Sequence, residues 1–137
     1  PVTIRIKGKS MEPIFKDGET NVTLIRFPGT LRKKHIYIYK YNDTVILHRY
    51  IKTKNNIHYF RGDNQYCFEF VSIDDVVGCV VGSSNSKNVY GIKNTIKSII
   101  RRVKVNIKHY IKKLLRGWLY GPDNKRIDTI SSRNSIW

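Results

Sequence analysis

The chain has 137 residues, which suits one hydrophobic core with an appendage and is short for two ordinary domains. Its hydrophobic content of 40% is that of a folding protein, and no run approaches the roughly eighteen uncharged apolar residues of a membrane span or the h-region of a signal peptide. The net charge of +16 is uneven: residues 1–91 carry 14 Lys/Arg against 8 Asp/Glu, whereas residues 92–137 carry 12 against 2.

In chain order, "VTIRIK" at 2–7 alternates apolar and charged residues, the pattern of a half-buried strand. "NVTLIRF" at 21–27, "HIYIYKY" at 35–41, "TVILHRYIKT" at 44–53, "IHYFRG" at 57–62 and "VVGCVVG" at 76–82 read the same way. The turn signals "KDGE", "FPGT", "YND" and "KNN" separate them. Six short strands with tight connections predict a mainly β, compact and mostly antiparallel domain over residues 1–82. The polar stretch "GSSNSKN" then marks a linker over 83–91. From Ile92 to Trp118 apolar residues recur at three- and four-residue steps with Lys and Arg between them, which predicts one basic amphipathic helix over 92–120. Residues 121–137 read as a flexible tail. Cys67 and Cys79 stand in no CxxC pair and no zinc-type cluster, so reduced structural thiols are expected, with a disulfide between them as the alternative.

Two side chains carry chemistry. Ser10 lies in "KGKSMEP" between a strand and a turn, where a serine is either a turn hydroxyl or a nucleophile. A nucleophile needs a base to take its proton and donors to meet the oxyanion. His48, in the middle of the apolar strand "VILHRY", is the best-placed base; His35, His58 and His109 sit at strand ends or in the basic tail. A mid-strand imidazole can equally be a satisfied core group.

"GKSMEP", "VILHR", "YFRGDN" and "VVGCVVG" together follow the order and rough spacing found in the signal peptidase I and LexA-type serine peptidase superfamily, and over residues 4–82 the chain resembles the branch of it that uses histidine. The resemblance implies a Ser-His hydrolase with a signal-peptidase/LexA-like β-domain, Ser10 as nucleophile and His48 as general base. It implies an acid at Asp63 or Glu69 to orient His48. Glu69 stands where the signal peptidases usually carry Asp, which leaves the choice between the two open, and Asp63 reads equally as a turn residue capping neighbouring amides. Gly8, lacking the side-chain hydroxyl that lysine-type relatives use, implies an oxyanion hole of main-chain N–H groups, with Met11 packed beneath and Pro13 fixing the turn. The chain departs from the family at "KKHIY", where a Gly-Asp pair usually stands, and in having nine residues before Ser10 where relatives carry an anchor.

The expected activity is cleavage of an extended leader or signal-type peptide with small residues before the scissile bond, without cofactor or metal. The alternative is a catalytically silent peptide- or membrane-binding module of the same fold. Residues 92–119 hold nine Lys/Arg and no acid, which predicts contact with an anionic membrane surface. The alternatives are a helix docked on the β-domain by its apolar stripe, and contact with a nucleic acid or an acidic peptide. A DNA-binding regulator is disfavoured, because one uninterrupted helix is no helix-turn-helix. The chain is thus expected at a membrane periphery or in the cytoplasm, with an anchor upstream of Pro1 left open.

Overall fold

The computed structural model describes residues 1–86 and 88–119. Each alternating segment forms a strand: β1 (Val2–Arg5), β2 (Asn21–Arg26), β3 (Ile36–Tyr41), β4 (Thr44–Lys54), β5 (Ile57–Arg61) and β7 (Val76–Ser83). A further strand, β6 (Glu69–Val71), is too short to show a period in sequence. The seven form one antiparallel sheet in the order β1-β2-β7-β3-β4-β5-β6. Asn42–Asp43 and Asn55–Asn56 make the two-residue turns of the β3–β4 and β4–β5 hairpins. All four have positive φ, between 47° and 60°, which suits the twist of paired strands and which Asn and Asp tolerate best among residues with a side chain.

The core has two parts. Ile6, Met11, Ile14, Phe15, Val22, Ile36 and Val80 pack beneath the turn that carries Ser10. Tyr37, Tyr39, Tyr50 and Phe60 form the other part, with the Phe60 ring 4.6 Å from that of Tyr39 and 5.5 Å from that of Tyr50. Val89 and Tyr90 also pack on the sheet: Val89 is buried, and the Tyr90 hydroxyl donates to the Val80 carbonyl and accepts from the Ile36 N–H.

The helix α1 (Ile92–Leu119) meets the sheet with its polar side. At about 100° per residue, Ser98, Arg102 and His109 share one side of the helix and Ile96, Ile107 and Leu114 lie opposite them. Ser98 is buried, Arg101 Nε donates to Asn64 Oδ1 at 2.7 Å, Arg61 reaches Asn106 Oδ1 at 2.7 Å, and the Tyr66 and His109 rings stack at 3.6 Å. The apolar stripe from Ile92 to Trp118 is turned to solvent, its residues 43% to 81% exposed, with Ile99 and Val103 on its edge toward the sheet. Docking by the stripe, one of the alternative readings of the sequence, is therefore not what the structure has. Among the described residues no helix is long and apolar enough to cross a membrane. The expected flexible tail at 121–137 lies outside the described residues.

Phe60 is wholly buried at the centre of the aromatic cluster. Phe60→Ala should therefore lower the unfolding free energy by about 3–5 kcal/mol, read from urea denaturation. A loss within experimental error would mean that the cluster is not the core.

Candidate active site

The turn after β1 presents Ser10. The Ile6 N–H donates to the Thr20 carbonyl at 2.8 Å and the Gly18 N–H to the Ile6 carbonyl at 2.9 Å, closing a loop over residues 6–20. Gly8 has φ of +93°, a conformation that a Cβ would strain, and its N–H donates to Asp17 Oδ1 at 2.8 Å. That bond occupies the Gly8 N–H, so an oxyanion here must look to other main-chain donors. Met11 anchors the turn from below, 1% exposed among the core side chains.

His48 stands on β4 opposite Tyr37 of β3 and is 3% exposed. Its Nε2 lies 2.9 Å from Ser10 Oγ and its Nδ1 3.0 Å from Glu69 Oε2. Glu69 opens β6, where pairing with Phe60 of β5 sets its position. The three groups satisfy one another when the serine hydroxyl donates to Nε2 and the Nδ1 proton points at the carboxylate. The Tyr39 hydroxyl donates to the same Glu69 oxygen at 3.2 Å and lies 3.3 Å from Nδ1. Burial, then the Glu69 charge, push the Tyr39 hydroxyl well above the usual tyrosine range, so it stays a neutral donor.

Asp63 does something else. It is wholly buried, and its two oxygens accept from Nε and Nη2 of Arg49, each at 2.8 Å. Nη1 of Arg102 is 4.0 Å away, and Arg49 also donates to the Lys34 carbonyl. The adjacent residues His48 and Arg49 thus have separate partners: His48 takes Ser10 and Glu69, Arg49 takes Asp63. The structure brings Ser10, His48 and Glu69 into contact, and it puts Asp63 one step away, holding the loop at 62–65.

That loop touches both halves of the site. The Asn64 N–H donates to the Ser10 carbonyl at 2.8 Å and its side-chain amide to the Lys9 carbonyl at 3.0 Å. A Cβ at Gly62 would come within 2.7 Å of the Ser10 carbonyl oxygen and 3.1 Å of His48 Nε2, so only glycine allows this approach. Tyr39, Gly62 and Asn64 have no site role in the sequence reading. Gly62 and Asn64 lie inside the quoted "RGDN", whereas Tyr39 reads as one more residue of an alternating strand. Among the described residues no three His, Cys, Asp or Glu side chains converge as a metal site.

The chain matches no family model and none of the curated proteins. The different environments of the two acids make a prediction that needs no activity assay. Asp63→Asn leaves the buried Arg49 charge without its counterion and should cost about 3–5 kcal/mol of stability. Glu69→Gln, at a side chain 13% exposed, should cost about 1 kcal/mol. Equal losses in urea unfolding would contradict this division of roles.

Proposed function

We propose that the chain is a serine endopeptidase with a signal-peptidase/LexA-like β-domain, acting on an extended leader or signal-type peptide at a membrane surface. The observation that carries the reading is the continuous chain of contacts from Ser10 Oγ through both nitrogens of His48 to Glu69.

In this reading Ser10 Oγ attacks the scissile carbonyl while His48 Nε2 takes its proton. Glu69, itself held by Tyr39, fixes the ring and stabilises the imidazolium that forms. The Ser10 N–H, which makes no hydrogen bond among the described residues, is a donor for the oxyanion. His48 then protonates the leaving amine, and the acyl-enzyme is released by a water whose proton His48 takes in turn. Asp63 acts through Arg49 and the loop at 62–65 as a positioning residue. The preference for small side chains before the scissile bond rests on the resemblance at "GKSMEP", "VILHR" and "RGDN". The membrane setting is supported by the outward apolar stripe of α1 and by its nine cations without an acid, since burial of the stripe and attraction to anionic lipid add.

The test is incubation of the purified chain with peptides bearing small residues before a candidate bond, with and without anionic vesicles, read by mass spectrometry. Wild type should cleave, and faster with vesicles. Ser10→Ala and His48→Ala should fall to background, and Glu69→Gln by on the order of 10⁴-fold, the scale on which a triad carboxylate acts. Cleavage by Ser10→Ala at the wild-type rate would refute the assignment. No cleavage by wild type, with peptide or vesicle binding intact, would favour the silent binding module.

A further inference from the structure

Between α1 and the sheet lies a cleft of about 350 Å³, lined by the cations Lys33, Lys34, Arg61 and Arg102 together with Ile51 and Phe68 of the sheet side and Ile99 and Val103 of the helix, and by no acidic residue. Its cations are poorly neutralised. The nearest carboxylate to Arg102 is Asp63 at 4.0 Å, and Asp63 already takes two bonds from Arg49. Arg61 is 6% exposed and spends its guanidinium on the Gln65 carbonyl and Asn106, both neutral. Burial, then the proximity of Arg102, hold Arg61 below the usual guanidinium range, and burial does the same for Arg102. Partly desolvated cations crowded in one place favour an anion between them.

The same cleft also has apolar lining. Ile99 and Val103 are 43% and 48% exposed and belong to the outward stripe of α1, so the cleft opens directly onto an apolar surface. A free phosphate would use the cations and leave that lip wet. A nucleic acid would meet its phosphates but gain nothing from the aliphatic side chains. An amphiphile with an anionic head uses both.

We propose that this cleft takes the phosphate-bearing headgroup of one anionic phospholipid, whose acyl chains run over Ile99 and Val103 onto the apolar stripe. The proposal rests on the membrane-surface reading and names its lipid subsite. A lipid held there bridges sheet and helix, because Lys33, Lys34 and Arg61 come from the sheet side and Arg102 from α1.

Short-chain dihexanoyl phosphatidylglycerol, kept monomeric, tests the cleft without a charged surface. Titrated into the whole chain and followed by amide NMR, it should give saturable shifts at Lys33, Lys34, Ile99 and Val103. Lys33→Gln combined with Lys34→Gln should weaken binding roughly tenfold or more, at about 1 kcal/mol per cation. Lys104→Gln combined with Lys108→Gln removes the same charge from the exposed helix outside the cleft lining and should change it by about twofold or less, because charges distant from the ligand are screened. Equal effects of the two pairs, equal binding of dihexanoyl phosphatidylcholine, equal shifts with inorganic phosphate, or displacement of the lipid by a short DNA duplex would each overturn the proposal. Sedimentation with phosphatidylglycerol–phosphatidylcholine vesicles separates the two readings. Recruitment of wild type without a cleft titration sinks the headgroup site alone, whereas no recruitment sinks the membrane reading.

Discussion

The buried pair of Asp63 and Arg49 is the constraint on which the site depends. A carboxylate with no exposure is tolerated only when its charge is met, and here both oxygens take short bonds from one guanidinium. The pair fixes the loop at 62–65 against β4. From that loop Asn64 fastens the Ser10 carbonyl, and Gly62 supplies the room for Ser10 and His48 to stay in contact. Helix α1 reaches the same loop through Arg101 and Asn64, so the appendage and the candidate site share one anchor.

Strand order makes this anchoring necessary. Ser10 follows β1 at one edge of the sheet, and Glu69 lies in β6 at the other, with His48 on β4 between them. The sheet has to curl for the edge residues to meet at one imidazole, as strongly twisted antiparallel sheets do. The contacts at 2.9 and 3.0 Å on the two ring nitrogens are thus tertiary facts that no local segment dictates. Tyr39 adds a second restraint on Glu69 from β3.

This explains what the sequence shows and what it hides. Alternation and turn chemistry mark six strands, because strands of four to eleven residues with a buried face carry a period of two and Asn-rich turns accept positive φ. Three-residue β6 carries no such signal, and with it the position of Glu69 stays hidden. Asp63 and Glu69 look interchangeable in a list of acids; only the pairing of Glu69 with Phe60, and the presence of Arg49 beside His48, separate them. The helix shows its period clearly but not its orientation. The usual rule turns an apolar stripe inward. Here Ser98, Arg101, Arg102 and His109 take the inner side, using hydrogen bonds and a ring stack instead of aliphatic packing.

The central claim, that His48 links Ser10 to Glu69 through its two nitrogens, is tested most directly by nitrogen-15 NMR of the labelled imidazole. The account predicts that neutral His48 carries its proton on Nδ1, that this proton resonates far downfield in a bond to Glu69, and that Glu69→Gln removes the downfield signal while Asp63→Asn, where it folds, keeps it. A ring protonated on Nε2, or a signal that survives Glu69→Gln unchanged, would contradict it.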